Sequence, residues 1–314
     1  MKIIHNRVTM STRPKILVVL GPTATGKSDL AVLLAKKYNG EVISADSRQV
    51  YKGLNIGSGK ITKKEMQGIP HHLLDIISPR TRFSVDAWKR KTEQKIKNIL
   101  SRGKLPIICG GTGFYIQSIV DEVVLPHVPP NKKLRSELEK KDAQSLFTLL
   151  QKLDPERAKT IERQNPVRLV RAIEIATALG AVPPLNKKVQ GNSITYEFLQ
   201  IGLTLPDTQL KERIIKRLDT RLKKGMLREA QKLHDSGLSW KRMFELGLEY
   251  RYESLLLQHK ISKQDFVEKL NTEIWHYAKR QMTWFKRDKT IKWFEPTQTK
   301  KIEKEVIDFL NKKG

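Results

Sequence analysis

The fold of this protein can be inferred from one stretch of its sequence, Ile16-Leu17-Val18-Val19-Leu20-Gly21-Pro22-Thr23-Ala24-Thr25-Gly26-Lys27-Ser28. Its first five residues form an apolar run that predicts a buried strand of a parallel sheet. The next eight match the pattern G-x-x-x-x-G-K-[ST], and an amphipathic helix from about Lys27 to Tyr38 follows. By itself the pattern could be a chance glycine turn. A strand before it and a helix after it favour a P-loop, whose backbone N–H groups surround phosphate oxygens.

The loop predicts a site for a di- or triphosphate, made of Gly21, Pro22, Thr23, Ala24, Thr25, Gly26, Lys27 and Ser28. Lys27 is expected to reach the outer phosphates, and the Ser28 hydroxyl can ligate Mg²⁺. NTPases that hydrolyse their nucleotide usually have another strand that ends in an acidic residue. Here the strand Pro106–Cys109 is followed by Gly110-Gly111-Thr112. This difference favours an enzyme that transfers a group to or from a diphosphate.

The order of the elements predicts an α/β fold with a P-loop NTPase-like parallel sheet. Further strands are predicted at Glu41–Ala45, Leu105–Cys109, Tyr196–Leu203 and Ile291–Phe294. A long irregular stretch rich in Gly, Ser and His runs from Asp46 to Phe83. A loop of that length inside a domain is usually functional or disordered.

Prolines mark the ends of a predicted helical insertion. Pro126, Pro129 and Pro130 precede it, Pro183-Pro184 lie near its end, and helices are predicted between them at 132–140, 143–153, 155–161 and 166–179. We therefore predict a catalytic core of residues 1–125 and 194–314 and a helical insertion domain of residues 126–193. The C-terminal part of the core is expected to be helical, with helices at Asp207–His234, Ser262–Arg287 and Lys300–Lys312.

The composition points to a polyanionic partner. Lys and Arg total 60 against 33 Asp and Glu, a formal net charge of +27 among 314 residues. Such an excess favours nucleic acid, although a general lysine bias of the source would have the same effect. The single cysteine, Cys109, excludes a disulfide framework and a multi-cysteine zinc site, which favours a reducing compartment such as the cytosol. No apolar run approaches the length of a membrane span, and we expect no membrane partner.

Asp46 is the second candidate for chemistry. It follows the predicted strand 41–45, so it lies at the edge where parallel sheets of this kind bind ligands. A carboxylate there can hold magnesium or act as a general base, and it can also simply cap the next turn. Its neighbours Ser47, Arg48, Gln49 and Tyr51 can all contact a nucleobase.

These residues belong to a series of motifs that resembles one family, the tRNA dimethylallyltransferases (tRNA isopentenyltransferases, or IPP transferases), in its bacterial form without a zinc finger. The motifs follow one another along the chain: GPTATGKS at 21–28, ISADSRQVY at 43–51, HHLLD at 71–75, FSV at 83–85, GGTGFYI at 110–116, NPVRLVRA at 165–172 and AKRQMTWF at 278–285. The resemblance implies transfer of the dimethylallyl group of dimethylallyl diphosphate to N6 of an adenosine. That adenosine lies immediately 3′ of the anticodon in tRNAs that read codons beginning with U.

The resemblance also implies roles for individual residues. Asp46 matches the general base, and Thr112 matches a residue that contacts both the flipped adenosine and the leaving group. Thr23, Lys27 and Ser28, with Mg²⁺, match contacts to the diphosphate, and Arg217 matches one more. Lys27 is thereby expected to take part in catalysis. The P-loop would hold a prenyl diphosphate in place of ATP.

A larger set of residues is implied to bind the anticodon stem-loop of tRNA. It consists of Asp46, Ser47, Arg48, Gln49, Thr112, Arg135, Val167, Arg168, Leu169, Val170, Arg171, Lys279, Arg280, Gln281, Met282, Thr283, Trp284, Phe285 and Lys286. Several have a plainer interpretation, because arginines and lysines also form solvated helix faces and aromatic residues are more often core than stacking platforms. His71 and His72 are expected to form hydrogen bonds or pack, since no further ligand spacing supports a metal site.

Two motifs depart from the family pattern: Gly57-Ser58-Gly59-Lys60 and Gly247-Leu248-Glu249-Tyr250-Arg251. The second leaves the role of residues 246–251 open. Three other functions remain open at this point: an adenylate isopentenyltransferase, a P-loop kinase that uses ATP on a small molecule, and a non-catalytic RNA-binding relative. A monomer is expected.

Overall fold

The computed structural model describes residues 13–184 and 196–312. Within them, six strands form one parallel sheet in the order β3-β2-β4-β1-β5-β6. Their bounds are β1 Lys15–Leu20, β2 Gly40–Ala45, β3 His71–His72, β4 Leu105–Gly110, β5 Glu197–Leu203 and β6 Lys292–Phe294. The predicted α/β class with a P-loop-like parallel sheet is confirmed.

Fourteen helices accompany these strands in the same parts of the chain. They are α1 Lys27–Lys37, α2 Lys63–Met66, α3 Val85–Ser101, α4 Gly113–Val120, α5 Lys132–Leu138, α6 Ala143–Leu153, α7 Pro155–Thr160, α8 Pro166–Leu179, α9 Asp207–Lys223, α10 Met226–Asp235, α11 Trp240–Leu246, α12 Leu248–Leu257, α13 Lys263–Phe285 and α14 Thr299–Asn311. None of the described helices combines the length and the apolar content that a membrane span requires.

Strand β1 is the centre of the sheet and is buried on both faces. Ile16, Val18 and Leu20 pack on one side against a cluster that includes residues of α3 and α4. Leu17 and Val19 pack on the other side with residues of α1 and α14. Burial on both faces explains the uninterrupted apolar run, because no position of the strand faces water.

The register brings three strand ends to one edge of the sheet. Leu20 lies beside Gly110 of β4 and Gly202 of β5, and Ala45 of β2 lies beside Gly110 as well. The chain leaves these strands into the P-loop, into the segment that starts with Asp46, and into Gly111-Thr112. Parallel pairing therefore gathers segments that are distant in sequence at the edge where such sheets bind ligands.

The region from Asp207 to His234, predicted to be mostly helical, consists of two helices. Between α9 and α10, Gly225 has φ of 94°, in the left-handed region that glycine adopts without a steric penalty. The stretch from Asp46 to Phe83 is mostly irregular, as predicted, with only the short α2 and β3 inside it. Lys60 anchors this stretch by donating hydrogen bonds to the Tyr51 carbonyl and to Asp75.

The chain divides into two compact units. One comprises Met1–Val120 and Ser193–Gly314, and contains the sheet; the other is Asp121–Asn192. The described part of the second unit has its own core, in which Leu146 and Leu150 of α6 pack with Leu169 and Ile173 of α8. The C-terminal end of the predicted insertion, residues 185–193, lies outside the described residues.

Candidate active site

The P-loop of the first unit has the backbone shape of an anion site. Gly21 has φ of 136°, and a Cβ atom there would lie 2.4 Å from the carbonyl oxygen of Leu203. Ala24 has φ of 66°, and Gly26, which caps the N-terminus of α1, has φ of 89°. Successive turns of this kind point N–H groups into one concavity, at the positive end of a helix. The loop can therefore hold a phosphate group.

The side chains of the P-loop complete this site. Lys27 Nζ donates a hydrogen bond to the Pro22 carbonyl at 2.6 Å, and Thr25 Oγ1 donates to the same oxygen at 2.9 Å. Burial, together with the nearby Arg217, lowers the pKa of Lys27 to about 8, although Cys109 and Asp46 oppose the change. Ser28 is exposed at the start of α1. An anion bound in the loop would favour the charged form of Lys27.

Arg217 reaches the P-loop from α9. Its Nη1 lies 3.4 Å from Thr23 Oγ1, although 194 residues separate the two in sequence. The structure thus brings together the two parts of the predicted diphosphate site. It also places Arg217 against Gly59, since a Cβ at Gly59 would come within 2.7 Å of the guanidinium.

Asp46 directly follows β2, and one of its carboxylate oxygens accepts backbone hydrogen bonds. Its Oδ1 accepts hydrogen bonds from the backbone N–H groups of Arg48 at 2.7 Å and Gln49 at 3.2 Å. This is the capping turn that the sequence left open. The hydrogen bonds that Asp46 forms with the described residues use Oδ1, which leaves Oδ2 for a ligand. The cap and the general base are therefore compatible functions of one carboxylate.

Thr112 contacts the residues on either side of Asp46. Its Oγ1 accepts a hydrogen bond from the Ser47 N–H at 3.0 Å, and its own N–H donates to the Ala45 carbonyl at 3.1 Å. The segments that carry Asp46 and Thr112 are thus hydrogen-bonded to each other. This acceptor edge adjoins the P-loop, because Gly110 is the register partner of both Ala45 and Leu20, and a Cβ atom on Gly111 would lie 3.5 Å from the Gly21 carbonyl oxygen.

Helix α13 packs its inner face on the loop that carries Thr112. The Gln281 carboxamide contacts Gly111 and Thr23, and a Cβ at Gly113 would lie 2.2 Å from Trp284 Cδ1. Gln281 and Phe285, both predicted to bind tRNA, are only 6% and 3% exposed and face the interior. They are buried because this side of α13 packs against the rest of the protein.

The outer face of α13 carries the rest of the predicted tRNA contacts of this helix. Lys279, Arg280, Thr283 and Lys286 are exposed, and Met282 and Trp284 are half-buried. Lys279 Nζ lies 5.2 Å from the centre of the Trp275 ring. This face therefore presents cations, supported by aromatic rings, to the solvent.

In the second unit, two predicted tRNA contacts are engaged with a buried carboxylate. Arg135 donates to both oxygens of Glu174, at 2.8 Å and 2.7 Å, and Arg171 also pairs with Glu174. Arg168 is exposed and lies 3.1 Å from Glu162. Val167 is exposed as well, at 80%, whereas Leu169 and Val170 belong to the core of the unit.

The two motifs that depart from the family pattern pack against each other. Glu229 of α10 accepts hydrogen bonds from the N–H groups of Asn55, Ile56 and Gly57 and from the Tyr250 hydroxyl. A Cβ at Gly57 would lie 2.7 Å from the Tyr250 ring. Residues 246–251 thus support the segment 55–60, which the sequence did not indicate.

Tyr277 is a further candidate, and it lies outside the set of residues that the motifs implied. Its hydroxyl interacts with the Thr112 side chain, burial raises its pKa, and Asp46 raises it further. Its position four residues before Gln281 was the available signal, because side chains at this spacing share one helix face.

The histidines are held by neighbouring protein groups. His72 Nε2 lies 2.7 Å from Glu41 Oε2, and His71 Nδ1 lies 2.8 Å from the Ile69 carbonyl. Across residues 13–184 and 196–312 there is no group of three or more His, Cys, Asp or Glu side chains that could hold a metal ion. Hydrogen bonding, the expected alternative for these histidines, is what the structure shows.

Comparison with known proteins identifies the family. A family model described as IPP transferase matches residues 49–288. A tRNA dimethylallyltransferase of Anoxybacillus flavithermus is 37% identical over 297 residues, which cover 95% of each chain. One of Staphylococcus epidermidis is 38% identical over 316 residues, covering 98% of this chain and 95% of the relative.

Solved structures agree with this assignment. The crystal structure of a tRNA isopentenylpyrophosphate transferase from Bacillus halodurans has a TM-score of 0.71 and 34% identity, covering 95% of this chain and 97% of the other. A eukaryotic dimethylallyltransferase, crystallised acting on tRNA, has a TM-score of 0.78 at 26% identity, covering 95% and 79% of the two chains. The chain therefore belongs to the IPP transferase family, the family of the tRNA dimethylallyltransferases.

Proposed function

We propose that this protein transfers the dimethylallyl group of dimethylallyl diphosphate to N6 of the adenosine immediately 3′ of the anticodon in tRNAs that read codons beginning with U. The products are N6-isopentenyladenosine in tRNA and free diphosphate. The observation that carries the proposal is the meeting of two sites at one sheet edge. The P-loop follows β1 and Asp46 follows β2, and the ends of both strands lie beside Gly110 of β4, which supports a diphosphate leaving group beside a general base.

The reaction breaks the bond between the allylic carbon and the diphosphate oxygen and forms a bond from that carbon to N6. Negative charge grows on the diphosphate as the first bond breaks. Lys27 and Arg217, which converge on the P-loop, are placed to stabilise that charge. Asp46 Oδ2 takes the proton that N6 loses, and Thr112 orients the reacting groups.

Magnesium fits this site as an ion bound together with the diphosphate. Ser28 offers an exposed hydroxyl next to Lys27, and the described residues provide no cage of three acidic or histidine ligands. Mg²⁺ commonly takes one or two protein ligands and completes its shell with phosphate oxygens and water. Bound in this way, it would neutralise part of the charge of the diphosphate.

The tRNA would be held by phosphate contacts and would present the adenosine unstacked. A base must leave the anticodon-loop stack before an enzyme can modify its N6. The exposed cations of α13 and Arg168 of the second unit are suited to contact the phosphates, and the net charge of +27 favours such a partner. We assign residues 126–193 to tRNA binding, and we expect a monomer that acts in the cytosol.

The test is a transfer assay with radiolabelled dimethylallyl diphosphate and Mg²⁺. The acceptors are tRNA from a strain that lacks this modification, the same tRNA with guanosine at the target position, and AMP. We expect label only in the unmodified adenosine-containing tRNA, and mass analysis should place it next to the anticodon. Label in AMP but not in tRNA would identify an adenylate isopentenyltransferase. Phosphate transfer from ATP to a small molecule, without prenyl transfer, would identify a kinase.

A further inference from the structure

One buried carboxamide joins the two loops of the candidate site. Gln281 Oε1 accepts a hydrogen bond from the Thr23 N–H at 2.9 Å, and Gln281 Nε2 donates to the Gly111 carbonyl at 2.8 Å. The residue is 6% exposed. Both ends of the carboxamide are therefore used within the protein.

The fit around this carboxamide is close. A Cβ atom on Gly111 would lie 2.2 Å from Gln281 Nε2, so that any larger residue would displace the carboxamide. One turn further along α13, Trp284 occupies the space beside Gly113 in the same way. Gly111 and Gly113 thus contact α13 closely because neither has a side chain. Such a contact transmits a shift of one partner to the other, because packed interiors have few voids.

The two loops have different parts in the proposed reaction. Thr23 belongs to the P-loop, and its hydroxyl also meets Arg217. Gly111 precedes Thr112, which is tied to Ser47 at the acceptor edge. A carboxamide suits this position since it is neutral and both donates and accepts. A carboxylate could not donate to the Gly111 carbonyl and would place a negative charge beside the diphosphate.

We infer that Gln281 is a positioning residue that sets the separation between the loop holding the leaving diphosphate and the loop holding the acceptor adenosine. The inference rests on the proposed function, and it assigns Gln281 a part other than contact with tRNA. In transfer between two bound substrates, a misplacement of 1 Å can lower the rate about 100-fold. Loss of the carboxamide should therefore slow the chemical step and leave tRNA affinity nearly unchanged.

The test compares Gln281→Met with Gln264→Met. The first removes both hydrogen bonds while keeping the length of the side chain. The second makes the same exchange at an exposed position in the first turn of α13, where Gln264 donates a hydrogen bond to Glu268 of the same helix. The measurements are the single-turnover transfer rate with both substrates saturating, the Kd for tRNA by filter binding, and the thermal midpoint Tm.

For Gln281→Met we expect the single-turnover rate to fall about 30- to 300-fold, with the Kd for tRNA within twofold of wild type. Gln264→Met should match wild type in all three measurements. Gly111→Ala, which displaces the carboxamide from the other side, should reproduce the loss of rate. This variant keeps the test valid if Gln281→Met does not fold.

Two results would overturn the inference. A tenfold weaker Kd for tRNA, with an unchanged rate at saturation, would show that Gln281 contacts RNA. Unchanged rates in both Gln281→Met and Gly111→Ala would show that the link between the loops has no effect on transfer. A wild-type protein that does not prenylate tRNA at all would instead refute the proposed function, and the inference with it.

Discussion

The side-chain oxygen of Thr112 accepts a hydrogen bond from the backbone N–H of Ser47 at 3.0 Å. This bond connects the residues that follow β4 and β2, whose last residues Gly110 and Ala45 are register partners. The acceptor side of the candidate site is therefore fixed by a contact between two loops and by the pairing of the strands beneath them.

Thr112→Val should distinguish the role of the hydroxyl from the role of the side-chain shape at this position. The variant keeps the volume, removes the acceptor of the Ser47 N–H, and removes the hydroxyl that we propose to contact the adenosine. We expect the single-turnover rate to fall about 10- to 100-fold, in line with 1–3 kcal/mol for an unsatisfied polar group. Thr112→Ser, which restores the oxygen, should recover most of the rate. Equal rates for the Val and Ser variants would contradict a role for the hydroxyl.

Asp46→Asn should remove the general base while keeping the turn. The amide oxygen can still accept from the N–H groups of Arg48 and Gln49, so the fold around it should persist. We expect the single-turnover rate to fall about 100- to 10,000-fold, with tRNA binding retained. Asp86→Asn, in a surface pair with Arg90 on α3, serves as the control. A rate within threefold of wild type for Asp46→Asn would contradict the assignment.

Diphosphate binding should weaken in alkaline solution. Because burial lowers the pKa of Lys27 to about 8, the unliganded protein loses this charge as the pH rises through that value. The affinity for dimethylallyl diphosphate should therefore be constant below about pH 7.5 and fall up to tenfold per pH unit above 8.5. Calorimetric titrations from pH 6.5 to 9.5 would measure this. Lys27→Met should bind more weakly throughout, without the alkaline decline; a decline of equal size in that variant would assign it to another group.

Glu41 should make a large contribution to stability. Its buried carboxylate pairs first with Arg102, and also with Lys104 and His72, and these contacts hold its pKa well below the usual range. Glu41→Gln removes the charge that these cations pair with, so we expect it to lower the free energy of unfolding by about 2–4 kcal/mol at pH 7. The loss is limited because the cationic partners can partly return to solvent.

The pH dependence of this effect follows from the direction of the pKa shift. A carboxyl group with a lowered pKa in the folded state stabilises the protein above its unfolded pKa, near 4.5, and progressively less as the pH falls below it. The difference between wild type and Glu41→Gln should therefore shrink between pH 5 and pH 3 in urea titrations. Glu303→Gln, which removes a surface pair with Lys37, should change stability by less than about 0.5 kcal/mol. Similar losses in both variants would contradict the prediction.

Glu253 should have the opposite effect. It is fully buried in α12, and neither of its oxygens has a hydrogen-bond partner among the described residues. Burial raises its pKa well above the usual value, and Glu249 and Glu229 raise it further. The folded state thus holds a proton that the unfolded chain releases, so wild-type stability should decline as the pH rises above about 4.5.

Glu253→Gln removes this titration and keeps the shape of the side chain. We expect the variant to be at least as stable as wild type at pH 8 and to gain less, or nothing, at pH 5. Chemical unfolding at the two values would measure the difference. A variant that is less stable at pH 8 than at pH 5, relative to wild type, would indicate that the carboxylate is charged and held by a partner.

The P-loop, the class of the fold and the residues at the strand ends could all be predicted from the amino-acid sequence. The apolar run before Gly21 and the pattern that ends at Ser28 are local signals, since each depends on neighbours within a few residues. Asp46 and Thr112 were accessible in the same way, because each directly follows a strand whose end defines the edge of the sheet.

The side chains that support these residues became clear from the three-dimensional fold. Gln281 and Phe285 belong to a motif that implied tRNA contact, yet they face the interior, because burial depends on what packs against a helix. Glu229 and Tyr250 support residues 55–57 from far along the chain. Such contacts are set by packing between distant elements, whereas the sequence carries mainly the preferences of residues close to one another.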